Sequence, residues 1–216
     1  MHPARRAGRV KLLFAVRNVA AHAAEMGGRV PPEPLFFLKP ESSLALGPSL
    51  SLPSDIGPID YEVELALEVG RRISRATPEQ AAAAIARVGI ALDLTARDLQ
   101  AKLKEERMPW LLAKGFDGAC VLGPRVSTPP LDKLAQMEVR LEVDGEDRQR
   151  FRVADYAVQP AALLARASRS ITIEPGDILS CGTGPNVGAL RKGNKLVAEI
   201  VGLSGTGFAG TVQEGP

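Results

Sequence analysis

Cysteine is scarce in this sequence. Cys120 and Cys181 are the only two in 216 residues, too few to staple a chain of this length. Two reduced, buried thiols are the expectation. An excess of one charge is also lacking, since Lys+Arg 27 against Asp+Glu 25 leaves a formal net charge of +2. Nucleic-acid binding needs a concentrated basic surface. The arginines at 5, 6 and 9 stand without aromatic neighbours for base stacking, so no nucleic-acid partner is expected. No uncharged apolar run is long enough to span a bilayer, and no membrane partner is expected either. Arg5-Arg6 ahead of Leu12-Leu13-Phe14-Ala15-Val16 faintly suggests an export signal, but that short apolar stretch stops at Arg17 with no cleavage site after it. Residues 1–9 therefore read as a basic tail, and the cytoplasm is the expected location. No glycine-rich phosphate loop follows any strand-like stretch, which removes support for nucleotide binding.

What is present is an ordinary globular composition, 45% apolar and 24% charged, enough for one domain over residues 10–216. Strand-like stretches outnumber helical ones. Val10–Val16 and Pro34–Leu38 suit buried strands. Ile59–Val69 alternates, with Val63, Leu65, Leu67 and Val69 on one face and Glu62, Glu64 and Glu68 on the other. Val139–Val143 runs into Asp144-Gly145, a hairpin dipeptide, and Gln149–Val153 returns. Ile171–Ile173, Ile178–Cys181 and Leu196–Val201 complete the strands. Helices are expected from a Thr77 cap to about Arg87, from a Thr95 cap over Ala96 to about Glu106, and from Gln159-Pro160 to near Ser168. Strands dominate and the helices are not regularly interleaved. The fold class is α+β on a mixed sheet, not a doubly wound domain.

Three groups of residues could carry chemistry. Glu62 and Glu64, two apart on a strand, point the same way, and Asp93 ends the apolar stretch Val88–Leu92. Like charges side by side are costly unless water or a cation neutralises them. Three carboxylates without a thiolate or imidazole would make a hard oxygen site for Mg²⁺, Mn²⁺ or Ca²⁺. The alternative is a plain solvated strand face. His22 and Glu25, at i and i+3 of a helical turn, could form a base oriented by a carboxylate, or a surface ion pair. Lys114 lies in the apolar run Pro109–Asp117 and, if buried, needs a partner or a task.

The order of these segments resembles the fumarylacetoacetate hydrolase family, in its small single-domain branch. Arg17-Asn18 with His22-Ala23-Ala24-Glu25, Lys39-Pro40-Glu41-Ser42-Ser43, Asp60-Tyr61-Glu62-Val63-Glu64-Leu65-Ala66 and Asp93-Leu94-Thr95-Ala96-Arg97-Asp98-Leu99-Gln100 carry it. Ala113-Lys114-Gly115-Phe116-Asp117, Leu122-Gly123-Pro124 and Gly182-Thr183 continue it in register, from about Val10 to Val212. The resemblance implies a β-rich mixed-sheet roll with a few short helices, a homodimer, and Mg²⁺ or Mn²⁺ on Glu62, Glu64 and Asp93. It implies that His22 and Glu25 activate water from a lid and that Lys114 contacts the substrate near the metal. Arg97 and Gln100 would face the substrate, and Thr183 would bind its carboxylate. Three positions depart from the family pattern: Val19, Val121, and the turn Gly182-Thr183-Gly184-Pro185-Asn186-Val187-Gly188, whose proline is displaced. The implied reaction is cleavage of a C–C bond in a small 2-oxo acid, either hydrolysis of an acylpyruvate or decarboxylation of oxaloacetate. The alternative is an isomerase or decarboxylase of the 2-hydroxyhepta-2,4-diene-1,7-dioate type in aromatic catabolism. A non-catalytic interaction protein is a further possibility, against which the complete set of site residues argues.

Overall fold

Burial decides which of the alternating stretches become strands. The computed structural model describes residues 10–45 and 47–215; the basic tail expected over 1–9 lies outside the described residues. In chain order the first elements are β1 (Leu12–Val16), α1 (Ala20–Glu25), β2 (Leu35–Lys39), β3 (Leu44–Ala45), β4 (Ser49–Leu52), β5 (Ile59–Tyr61) and β6 (Val63–Val69). Next come α2 (Pro78–Ala82), β7 (Ile85–Asp93), β8 (Thr95–Ala96), α3 (Arg97–Glu105), α4 (Leu111–Lys114), β9 (Cys120–Ser127) and α5 (Leu131–Ala135). The chain continues through β10 (Glu138–Val143), β11 (Glu146–Arg152), α6 (Pro160–Ser168), β12 (Ile178–Thr183), β13 (Gly188–Ala189), β14 (Lys195–Val201) and β15 (Phe208–Glu214).

A mixed seven-stranded sheet in the order β2-β1-β12-β6-β7-β9-β3 faces a five-stranded sheet in the order β11-β10-β14-β15-β4. The main core lies between them. Val63, Leu65, Leu67, Val88, Ile90 and Leu92 from one sheet meet Val139, Leu141, Leu196, Ala198 and Ile200 from the other. The opposite face of the larger sheet carries a smaller apolar cluster built on Leu12, Phe14, Ala66, Ala91, Cys120 and Ile178. Small residues there leave room beside the sheet, and Glu64 and Asp93 share that face by parity. The fold is therefore α+β and strand-rich. Both cysteines are free and buried; burial pushes the Cys120 thiol up to about 12, which makes it inert. No helix among the described residues is long and apolar enough to cross a membrane.

Several local expectations hold. Asp144 (φ 55°) and Gly145 (φ 82°) form the turn between β10 and β11, both in the left-handed region that such a hairpin requires. The helix from Pro160 ends at Ser168. Others need correction. Thr77 and Gln80 form the full capping box, yet α2 stops at Ala82. Ile85–Arg87, expected as helix, belongs to β7 because Ile85 and Val88 bury against the sheet and pair with β6. That tertiary pairing overrides the helix propensity of the alanine run. The second helix begins at Arg97 with Ala96 at the cap position, and Thr95 spends its hydroxyl elsewhere. Ile171–Ile173 is not a strand; Ile173 makes an isolated bridge to Ile73. The expected strand Ile59–Val69 breaks at Glu62, because β5 leaves for a small sheet with β13 and β8. Buried Gln149 accepts the Val63 N–H (2.8 Å) at that break.

Candidate active site

The break at Glu62 and the end of β7 bring three acids together. Glu62, Glu64 and Asp93 are all buried, and one carboxylate oxygen from each lies within 4.8 Å of the others. The expectation of a solvated strand face is thus set aside. Each acid has its own support. Glu64 Oε2 accepts from Ser180 Oγ (2.6 Å) and from the Gly182 N–H (2.8 Å). Glu62 Oε1 accepts from Arg97 Nη2 and from Thr95 Oγ1 (3.3 Å). Lys114, fully buried at the end of α4, donates to Asp93 Oδ2 (2.7 Å), Glu62 Oε2 (3.0 Å) and Thr95 Oγ1 (2.6 Å). Its burial therefore comes with partners, as the sequence required.

Behind Asp93 stands a second buried ammonium that the sequence reading left without a task. Lys39 Nζ lies 2.8 Å from Asp93 Oδ1. Its three protons go to the carbonyls of Leu94 (3.0 Å), Lys114 (2.5 Å) and Ala119 (2.7 Å). An ammonium has three donors, so Asp93 Oδ1 receives charge but no hydrogen bond, and is left a buried, unsatisfied carboxylate oxygen. The donor set itself, three buried carboxylates with no thiolate or imidazole among them, fits a hard divalent cation. Glu62, Glu64 and Asp93 are the residues that would hold it.

The charges sort themselves by environment. Burial would raise Glu62, but Lys114 and Arg97 outweigh it and hold its carboxyl well below the usual carboxylate range. Burial pulls Lys114 down, and Asp93 and Glu62 overcome it, so its ammonium is reinforced. Glu64 has no cationic partner among the described residues. Burial, then the nearby Asp93 and Glu62 charges, push it up to about 8 despite the Ser180 and Gly182 hydrogen bonds. A raised acid keeps in the folded state a proton that the unfolded chain releases near 4.5. Its contribution to stability is therefore complete below that value and is lost as pH rises through about 8. A cation must displace the same proton. Calorimetry should therefore show Mn²⁺ affinity rising about tenfold per pH unit between pH 6 and 8. A flat profile would mean that Glu64 is already ionised in the metal-free protein.

His22, on α1, lines the same cavity as the acids, together with Arg97, Gln100, Lys114 and Thr183. Its Nδ1 meets Glu25 Oε2 at 3.3 Å, and Glu25 Oε1 accepts the Asn186 N–H (2.9 Å). The displaced-proline turn thus ties down the α1 segment, with Asn186 in the left-handed region (φ 67°). Arg97 is engaged by Asp60 Oδ2 (2.6 Å), Glu62 and Gln100 Oε1 (2.9 Å). Thr183 Oγ1 donates to the Val63 carbonyl (2.9 Å) and accepts from Gln149 Nε2 (3.0 Å). Gln149 and Ser180 were not singled out in the sequence. Their partners lie 34 and 116 residues away, and no local pattern marks them. Val19 and Val121 are simply buried in the core.

The model of the fumarylacetoacetate (FAA) hydrolase C-terminal domain matches residues 11–212. The chain belongs to the fumarylacetoacetate hydrolase family. An oxaloacetate tautomerase of Escherichia coli is 39% identical over 196 residues, covering 90% of each chain. A fumarylpyruvate hydrolase from Pseudomonas aeruginosa, solved with Mn²⁺ and pyruvate, superposes with a TM-score of 0.88 at 31% identity, over 99% of this chain and 94% of that one. A 2-hydroxyhepta-2,4-diene-1,7-dioate isomerase from Mycobacterium marinum superposes at 0.81 with 28% identity, over 95% and 75% of the two chains. This family member thus shares its fold with enzymes of several reaction types, and one of those structures contains Mn²⁺. Its own acidic triad has the donor chemistry for a divalent cation.

Proposed function

We propose that this chain is a divalent-metal-dependent enzyme, with Mg²⁺ or Mn²⁺, that moves a proton next to the keto group of a small 2-oxo acid of the oxaloacetate type. The observation that carries it is one cavity holding both the buried Glu62–Glu64–Asp93–Lys114 cluster and the His22–Glu25 pair. A divalent cation on the three carboxylates would supply a Lewis acid that gathers the carboxylate and keto oxygens of the substrate. The Lys114 ammonium, fixed by three partners, adds a compact positive charge where negative charge develops on the keto oxygen. Glu25 faces His22 Nδ1, which leaves Nε2 to take a proton from the substrate carbon beside the keto group and return it to oxygen. Glu25, held by Asn186, steadies the imidazolium formed on the way. The likeness to the E. coli tautomerase puts this proton transfer first.

C–C bond cleavage is the second reading, favoured by the fumarylpyruvate hydrolase likeness. There His22 would take its proton from water instead of carbon, and the same positive wall would stabilise the leaving fragment. A homodimer is part of the proposal: Leu35, Leu38, Met108, Leu111 and Leu112 are exposed, and a second copy would cover that apolar surface.

His22→Ala tests the base that both readings use. Loss of a positioned base costs roughly 10²–10⁴ in rate. Enol–keto exchange of oxaloacetate, followed by ultraviolet absorbance, should fall by that factor, and acylpyruvate cleavage with it. Oxaloacetate decarboxylation needs no base and should largely survive. An equal loss of all three activities would refute the assignment of His22 as the base.

A further inference from the structure

The cavity wall carries more positive charge than its acids answer. Four cations line it: Arg17, Arg97, Lys104 and Lys114. Arg97 is committed to Asp60 and Glu62, and Lys114 to Glu62 and Asp93. Arg17 and Lys104 have no carboxylate partner among the described residues. Lys104 instead leans on the Trp110 ring, 5.3 Å from its centroid, and donates to Gln100 Oε1 (3.2 Å). Both of those partners are neutral. Lys104 is partly buried, and its pKa is held down first by burial and next by Arg17, ahead of Arg97 and Lys114. Two partly buried cations that repel each other across a cavity attract an anion placed between them.

The backbone supports the same conclusion. Arg17 follows β1 directly and sits in the left-handed region at φ 52°, where a residue with a Cβ is strained. Such strain, held in place by its surroundings, clusters at ligand clamps. Gly28 clears the space beside it: a Cβ there would stand 2.5 Å from Arg17 Nη1. The guanidinium therefore links the two ends of the segment that carries His22.

We infer that Arg17 and Lys104 form a second anion-binding pair, which reads the far carboxylate of a dicarboxylic 2-oxo acid and makes the site select dianions over monoanions. This rests on the reading above, in which the near end of the substrate is gathered at Glu62, Glu64 and Asp93. An anion on Arg17 also fixes the end of the α1 segment, so the same contact that selects the substrate holds His22 over it.

The test is calorimetric binding to the Mn²⁺-loaded protein, with three probes. 2-Oxoglutarate and 2-oxopentanoate have equal length and differ in the second carboxylate; oxalate probes the near end alone. The wild type should bind 2-oxoglutarate at least tenfold more tightly than 2-oxopentanoate. Arg17→Met and Lys104→Met should each reduce that preference about tenfold or to parity, with oxalate affinity and melting temperature unchanged. Lys104 lies in the last turn of α3 and is only half-buried, so its variant keeps the test informative should Arg17→Met fold poorly. A wild type without the preference, or a double variant that retains it while oxalate still binds, overturns the proposal. Failure of oxalate to bind the wild type overturns the reading of the near end instead, and this assignment with it.

Discussion

Glu64→Ala is expected to remove Mn²⁺ binding and activity together while leaving a folded protein. Outer-shell partners of a metal typically contribute about 10–100-fold to affinity, so loss of a carboxylate from the three-acid set should exceed that. The thermal signature follows by mass action. An ion at about 100 times its Kd stabilises the folded state by roughly 2.7 kcal/mol, a gain the wild type should show and the variant should lose. The metal-free baseline is informative as well. Glu64 holds its proton up to about pH 8 in the metal-free protein, so its removal relieves little repulsion, while Ser180 Oγ and the Gly182 N–H, which both donate to Glu64 Oε2, lose their acceptor. An unsatisfied buried donor costs about 1–3 kcal/mol, so the alanine variant should melt below the metal-free wild type. Glu64→Gln keeps an acceptor oxygen and should melt close to it. Equal Mn²⁺-induced shifts in wild type and alanine variant would remove the triad as the metal site.

The triad was legible because strand parity is a local rule. Two glutamates at i and i+2 of an extended stretch face one way, and they still converge here although the strand breaks at Glu62; an aspartate ending an apolar stretch marks a strand end. His22 and Glu25 were legible for the same reason, at helical spacing. The second layer of the site was not. Lys39 neutralises Asp93 across 54 residues, and Gln149 fills the break at Val63 across 86; neither relation leaves a pattern in the neighbouring sequence. Lys39 offered one signal, a lysine ending the apolar run Leu35-Phe36-Phe37-Leu38. Thr95 misled in the opposite direction. Its position before a helix suggested a cap, whereas its hydroxyl belongs to Glu62 and Lys114. The alanine run after Thr77 also read as helix, and only its pairing with β6 makes the stretch from Ile85 a strand. Propensity and capping are local, and a buried polar cluster or a paired strand overrides them.

Lys114→Met should split binding from turnover. In the metal-free protein the ammonium is the cation that Glu62 and Asp93 share, with Lys39 answering only the far side of Asp93. Removing one partner of a buried ion pair typically costs about 3–5 kcal/mol, because the remaining charge is left uncompensated. The metal-free variant should therefore melt well below the wild type, or bind protons that the wild type does not. A divalent cation restores the lost charge, and in the variant it no longer has an ammonium beside it to repel it. Mn²⁺ affinity should accordingly rise, and the Mn²⁺-induced thermal shift should be larger than in the wild type. Activity should move the other way. On the proposed function, the charge that Lys114 would place beside the keto oxygen is lost, and removal of one preorganised donor costs about 10²–10³ in rate. Proton exchange and C–C cleavage should both suffer, since negative charge develops at that oxygen in either reaction. Lys114→Arg should not restore them, because the broad guanidinium cannot take the place of a compact ammonium within 3.0 Å of three oxygens. Should Mn²⁺ affinity fall in Lys114→Met, the ammonium supports the ion rather than competing with it, and the charge balance argued for this cluster is wrong.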